Sequence, residues 1–280
     1  MVHYIKTQNK EANPRSMLLS SSKGTRILLR KTRRIDVYHT KTAIITGASG
    51  DIGAQTALAL AKEGYHLLLC GFSSEKNLNQ IKDQCQAHTS ICLSLLGDIT
   101  DSGTAKKITK TAIQQFGHID VLINNAGVSQ IGLMTDQSDE EWFRTLNTNL
   151  SSAFFLCREV IPHMVHEKSG RILNVSSVWG TVGASCEVAY SSAKGGLNTF
   201  TKALAKEVAP SGIAVNAVAC GMIDTKMNDC FSNEEKFSIC EEIPFGRMST
   251  PKETAEFISL LLKAPLYMTG QIIGFDGGWF

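Results

Sequence analysis

Tyr190 and Lys194 stand at i and i+4 in an Ala-rich stretch, Ala189 to Ala205, that reads as one long helix. That spacing sends both side chains out from the same face. A lysine ammonium about 4 Å from a phenol favours the phenolate by about 4 kcal/mol at an effective dielectric of ~20. The gain equals roughly three pKa units, enough to bring a tyrosine from ~10 toward neutrality, where it serves as a general acid or base. A Tyr–Lys pair alone also occurs on plain surface helices. Here Ser177 precedes it, at the end of the apolar stretch Arg171 to Val175, and a Gly-rich turn lies upstream at residues 47–53. A hydroxyl, a tunable phenol, an ammonium and an anion-binding turn are the parts needed to move a proton onto a polarised oxygen beside a phosphate-bearing cofactor.

The elements that must position these groups follow in chain order. Thr42 to Thr46 reads as a short β-branched strand. Gly47-Ala48-Ser49-Gly50-Asp51-Ile52-Gly53 follows, then an amphipathic helix ended by Gly64. A strand, a Gly-rich turn and a helix start form an anion site, because free backbone N–H groups and the positive dipole end face one point. Alternation continues with a strand at His66 to Cys70, a helix at Glu75 to Ala87 and a strand at Ser90 to Leu96 that ends in Gly97-Asp98. A helix at Thr104 to Phe116 and a strand at Val121 to Ile123 lead to Asn124-Asn125-Ala126-Gly127. Glu140 to Lys168 reads as one helix bent at Pro162, Arg171 to Val175 as the fifth strand and Ile213 to Ala219 as the sixth. Lys226 to Glu242 reads as an amphipathic lid, Pro251 to Leu262 as a helix, and Tyr267 to Gly278 as the last strand and turn. Regular βα alternation of this kind predicts an α/β fold, a single Rossmann-type doubly wound parallel sheet of about seven strands with helices on both faces. Ligands then bind at the carboxyl ends of the strands.

On these motifs the chain is identified as a member of the short-chain dehydrogenase/reductase family, over residues 41–280. The resemblance implies a catalytic tetrad of Asn149, Ser177, Tyr190 and Lys194, with Asn149 drawn from Asn147-Thr148-Asn149-Leu150. Tyr190 donates the proton, Ser177 polarises the carbonyl, Lys194 lowers the tyrosine pKa and holds the ribose, and Asn149 positions water. It implies cofactor contacts from Gly47, Ser49, Gly50, Asp51, Ile52, Gly53, Ser73, Asp98, Ile99, Asn125, Ala126, Gly127, Tyr190, Lys194, Gly221, Ile223 and Thr225. Two positions depart from the pattern: Asp51 replaces the second glycine of T-G-x-x-x-G-x-G, and Cys220 stands where the family has proline. The Asp51 carboxylate either crowds the pyrophosphate or caps its helix. No acid occupies the tip of the second strand, Cys70-Gly71-Phe72-Ser73-Ser74, where an Asp or Glu would bind the ribose 2′-OH of NAD. NADPH is therefore expected ahead of NADH.

The chain as a whole resembles the 3-oxoacyl-acyl-carrier-protein reductase group. The run Ser176 to Tyr190, with Glu242 to Arg247 and Asp276-Gly277-Gly278-Trp279, is closer to the elongation factor P 5-aminopentanone reductase branch. That resemblance implies a ketone that is either a small molecule or carried on elongation factor P or acyl carrier protein. It also implies a homotetramer or homodimer. Trp179, Glu187 and Met222 are the substrate-side candidates. Glu187 either meets a cationic amine or caps the Tyr190 helix. With the whole tetrad filled, a non-catalytic NAD(P)-binding scaffold is the disfavoured alternative.

Composition limits the remaining classes. Hydrophobic residues make up 43% of 280 positions, ordinary for a globular chain, and no apolar run approaches the ~20 residues of a membrane span. Eight cysteines lie scattered without C-x-x-C spacing or a His/Cys ligand cluster, which fits reduced thiols in the cytoplasm and no metal site. The net charge of +2 is concentrated at the start, since residues 1–36 are strongly basic and the remainder mildly acidic. The body thus has no electrostatic affinity for nucleic acid. Residues 1–40 show no helical or strand period; a transit peptide, a disordered tail and an untranslated stretch are the readings weighed. The third is favoured, since Arg33-Arg34 can be encoded as a ribosome-binding AGG-AGG ahead of a GTG start at Val37.

Overall fold

Neighbouring residues of one strand serve opposite layers of the molecule. In a computed structural model that describes residues 40–89 and 91–280, Ile45 faces one helical layer and Ile44 the other. This is the alternation that a strand buried on both faces requires. The elements run β1 (Thr42–Thr46), α1 (Asp51–Lys62), β2 (His66–Gly71), α2 (Glu75–Gln86), β3 (Cys92–Leu96), α3 (Ser102–Phe116) and β4 (Val121–Asn124). They continue with α4 (Asp139–Leu146), α5 (Ser152–Glu167), β5 (Gly170–Ser177), α6 (Trp179–Val182), α7 (Val188–Val208) and β6 (Ile213–Cys220). The last are α8 (Asn233–Glu242), α9 (Pro251–Lys263) and β7 (Ile272–Phe275). The reading of residues 1–40 as a separate basic extension falls almost wholly on residues 1–39, outside the described ones.

Seven strands form one sheet in the order β3-β2-β1-β4-β5-β6-β7, and every pairing is parallel. Leu60 of α1, Leu78 of α2 and Ile258 and Leu262 of α9 pack on one face; Ile108 of α3, Val160 of α5 and Val208 of α7 pack on the other. The expected doubly wound α/β fold is the observed one. Because β1 pairs with both β2 and β4, the chain reverses its direction of travel across the sheet there. That reversal opens the crevice where such sheets take their ligands.

Polar groups inside the second layer are linked in series. Asn124 of β4 donates to Asn174 of β5 at 2.8 Å, and Asn174 donates to Thr201 of α7 at 2.8 Å. Ser176 of β5 donates to Asn198 of α7 at 2.6 Å. A buried donor left unpaired would cost about 1–3 kcal/mol, so these links fix α7 against the two central strands in one register.

Three boundaries differ from the sequence reading. The expected single helix from Glu140 to Lys168 is broken by a π turn at Asn147–Ser151, with Pro162 carried inside α5. The lid is a 3₁₀ turn at Lys226–Asn228 followed by α8, whose start Ser232 and Glu235 cap reciprocally. That capping signal outweighs the continuous apolar spacing. The connection after Ser177, to which the sequence reading assigned no element, contains the short helix α6.

Candidate active site

Strand β5 delivers Ser177 because all eight of its residues pair with β6, ending with Ser177 opposite Cys220. The backbone then turns at once: Val178 N–H donates to the Cys220 carbonyl at 2.9 Å, and Trp179 N–H donates to Ser177 Oγ at 3.2 Å. Helix α6 packs directly on α7 at Gly180, where a Cβ would lie 2.6 Å from the Lys194 carbonyl carbon. A side chain there would push α6 away from the catalytic face of α7. Val188 to Val208 forms α7 as expected, and Tyr190 and Lys194 share one of its faces.

The Lys194 ammonium is buried, donates to the Val175 carbonyl at 2.8 Å and lies 5.5 Å from the Tyr190 ring centroid. The Ser177 side chain stands beside the Tyr190 hydroxyl. The electrostatics differ from the lysine-driven phenolate expected above. Burial, reinforced by the charge of Glu187, raises the Tyr190 pKa well above the ordinary phenol range, and the neighbouring Ser177 side chain only partly opposes the shift. Burial also pushes Lys194 down to about 8. Lys194 spends its hydrogen bond on a backbone carbonyl, so desolvation decides the sign. The phenol therefore keeps its proton at neutral pH, which is the state a proton donor requires.

Asn149 lies buried in the π turn, accepts from Val128 N–H at 2.8 Å and donates to the Val128 carbonyl at 2.7 Å. Both ends of its amide thus hold the backbone just beyond Gly127. π turns place side chains off the helical register, a common device at functional sites.

At the other end of the crevice the β1–α1 turn is packed too tightly for side chains. A Cβ on Gly53 would sit 2.2 Å from the Gly47 carbonyl oxygen. The N–H groups at the start of α1 have no acceptors within the helix, and they face out of this turn with the positive dipole end. The turn fits a pyrophosphate on that ground. Asn125 donates to the Thr46 and Gly47 carbonyls at 2.9 and 3.2 Å, while Thr46 Oγ1 accepts from the N–H groups of Asn125 and Ala126 at 3.0 and 3.1 Å. The Asn125 side chain thus braces the turn from behind. Asp98 is engaged by Thr100 N–H and Oγ1 at 2.8 and 2.7 Å, with Ile99 buried beside it. Gly127 lies beneath the Asn149 and Lys194 side chains. Ser73 is exposed at the tip of β2, close to the Ser74 that caps α2, and Ser49 Oγ lies against Gly71.

Gly221 donates to the Phe275 carbonyl at 2.9 Å, Ile223 is buried, and Thr225 opens the 3₁₀ turn. The capping alternative for Asp51 does not hold: Gly50 is the N-cap of α1, with no side-chain bond, and the Asp51 carboxylate accepts from Lys226 N–H at 2.8 Å.

The capping alternative for Glu187 fails likewise. Glu187 is the N-cap of α7, yet its side chain makes no capping bond. Its carboxylate accepts from the Ser129 hydroxyl, the Trp179 side chain stands beside it, and burial raises its pKa. Trp179 in turn meets Trp279 edge-on at 5.0 Å between ring centroids and Phe280 at 5.3 Å. Met222, the third substrate-side candidate, is half-buried in the loop after β6, where its carbonyl accepts from Ser249 N–H at 3.0 Å. Thr46, Ser129, Trp279 and Phe280 were not singled out from sequence. Thr46 follows from its place before the glycines, whereas the others meet their partners only through the fold.

A parallel sheet of this order with a glycine turn at its crevice is a Rossmann-type α/β fold of the kind that binds dinucleotides. The family model for short chain dehydrogenase matches residues 41–236, and the chain belongs to that family. It is an NAD(P)-dependent oxidoreductase. The chain is 42% identical over 241 residues to an "Uncharacterized oxidoreductase YmfI" of Bacillus subtilis (strain 168), covering 85% of this chain and 98% of that protein. It is 36% identical over 239 residues to the 3-oxoacyl-[acyl-carrier-protein] reductase FabG of Thermotoga maritima, covering 85% and 97%. Against the FabG of Escherichia coli (strain K12) it is 35% identical over 244 residues, covering 87% and 98%. Among the described residues no helix is long and apolar enough to cross a membrane.

Proposed function

We propose that the chain is an NADPH-dependent reductase of a ketone that carries a cationic amine nearby, specifically the 5-aminopentanone group on elongation factor P. Glu187 carries this reading. It is a partly desolvated carboxylate beside Tyr190, bonded to Ser129, flanked by Trp179 and spent on no helix cap. An apolar acyl chain gains nothing from such a group, whereas an ammonium restores its lost solvation through a charge-assisted hydrogen bond of about 1.5–3 kcal/mol. The 3-oxoacyl-acyl-carrier-protein reductase reading is the second, supported by the 35–36% identity to proteins of that name.

When bound, NADPH supplies a hydride to the carbonyl carbon. The Tyr190 hydroxyl gives its proton to the carbonyl oxygen, and Ser177 donates a hydrogen bond to that oxygen as charge develops on it. Lys194 holds the ribose side of the cofactor and keeps positive charge behind the phenol. Asn149 fixes the Val128 backbone, just beyond Gly127, through both ends of its amide. Selection of NADPH rests on the acid-free tip of β2, where Ser73 is exposed. The eight free thiols fit a cytoplasmic enzyme, and exposed apolar groups such as Phe154, Leu260 and Tyr267 fit assembly into a homodimer or homotetramer.

The deciding experiment offers the purified enzyme NADPH with acetoacetyl-coenzyme A and, separately, with ketone-bearing elongation factor P. Faster NADPH oxidation with the modified protein supports the amine-ketone reading. Preference for the thioester moves the assignment to the acyl-carrier-protein reductase.

A further inference from the structure

Asp51 stands at the first position of α1, where the family pattern has glycine, and reaches across the crevice to a segment far along the chain. Its Oδ2 accepts from Lys226 N–H at 2.8 Å. Lys226 opens a 3₁₀ turn whose N-cap, Thr225, provides no side-chain bond. The first N–H groups of a helical turn have no acceptor within it, so an outside carboxylate meets an intrinsic need. Upstream the loop is already pinned: Ile223 bridges to Ser249, Asp224 N–H donates to the Ser249 carbonyl at 2.8 Å, and Asn228 Nδ2 donates to the Ile223 carbonyl at 2.7 Å. Downstream it runs into α8, which contains no buried residue. An element with so little packing is ordered mainly at its root.

We propose that Asp51 is a positioning residue, a clasp that ties the root of the α8 lid to the turn that cradles the cofactor phosphates. The clasp has an electrostatic cost, because its charge shares the start of α1 with the bound pyrophosphate. Loop order and cofactor affinity are thereby set against each other at one side chain. Asparagine keeps an acceptor oxygen and removes the charge, while glycine removes both.

Hydrogen–deuterium exchange across residues 222–232, with NADPH present and no ketone added, tests the clasp whatever the substrate is. In Asp51→Gly the Lys226 amide should exchange roughly tenfold faster or more, the scale of a hydrogen bond to a charged group. Asp51→Asn should keep that amide protected and bind NADPH about two- to fivefold more tightly by fluorescence titration, the scale of one charge at a helix start. Unchanged exchange in Asp51→Gly overturns the proposal, as does exchange in Asp51→Asn as fast as in Asp51→Gly.

Discussion

Where the β1–α1 turn meets the end of β4, contact is made by backbone groups and two short side chains; where α6 meets the C-terminal tail, it is made by indoles, a phenyl ring and a carboxylate. Thr46 and Asn125 brace the first region with four hydrogen bonds to backbone N–H and C=O groups. Ser129, Glu187, Trp179, Trp279 and Phe280 build the second through their side chains. Phosphate recognition by a turn demands a backbone path, and few residue types follow it. Recognition of a ketone's remainder demands only shape and charge, which many residue sets supply. Ser177, Tyr190 and Lys194, the candidate catalytic groups of β5 and α7, sit between the two regions.

The largest effect should come at that boundary. Tyr190→Phe keeps the ring and removes the proton donor, so kcat should fall about 10²–10⁴-fold, the range of general acid catalysis. NADPH affinity should change by less than about twofold, since the bracing of the turn does not involve the hydroxyl. Stopped-flow turnover and fluorescence titration separate the two; a kcat within tenfold of wild type would remove Tyr190 from the role.

The contrast between the regions also explains what the sequence disclosed. The parallel sheet and the helix that carries Tyr190 and Lys194 were legible because strand period, the glycine turn and the i, i+4 pair are local signals. The π turn at Asn147–Ser151 was not, because Asn149 leaves the helical register to satisfy Val128. The electrostatic sign at Tyr190 was not either. The i, i+4 spacing places Lys194 near the phenol, but burial and Glu187, set by the tertiary fold, govern the shift. Trp279 was visible only as part of an ending, since its contact with Trp179 spans much of the chain.

A second test uses the buried ammonium. Lys194 titrates at about 8 in the fold against 10.5 when exposed. Between those values the unfolded chain binds the extra proton, so this group makes stability rise with pH from about 8 to about 10.5. The full contribution is on the order of 3 kcal/mol. Lys194→Met should lack it: the difference in unfolding free energy between variant and wild type should narrow as pH rises through this window. A pH-independent difference in urea unfolding would show that Lys194 is not desolvated in the free protein.

On the substrate side, Glu187→Gln removes charge while keeping shape. KM for an amine-bearing ketone should rise roughly tenfold or more, the equivalent of losing a charge-assisted contact. KM for acetoacetyl-coenzyme A should move by less than about twofold. Equal losses on both substrates would make Glu187 a structural support for Ser129 and Trp179 and favour the acyl-carrier-protein reductase.

The smallest effect should come from the aromatic wall. Trp279 touches Trp179 at 5.0 Å and Phe280 at 4.9 Å between ring centroids, and aromatic pairs of this kind contribute about 0.5–1.5 kcal/mol each. The Asp276 carboxylate holds this tail by accepting from Gly278 N–H at 3.0 Å and Phe280 N–H at 3.3 Å, so Trp279→Ala leaves the backbone path anchored. Trp179 then loses one face of support and the Glu187 carboxylate becomes more exposed to water. Two consequences follow together: KM for the amine-bearing ketone rises about two- to tenfold, and NADPH affinity stays constant, because the ring partners of Trp279 are Trp179 and Phe280. A parallel loss of NADPH affinity would mean that the two regions are mechanically coupled, and the division between a backbone-built cofactor end and a side-chain-built ketone end would have to be abandoned.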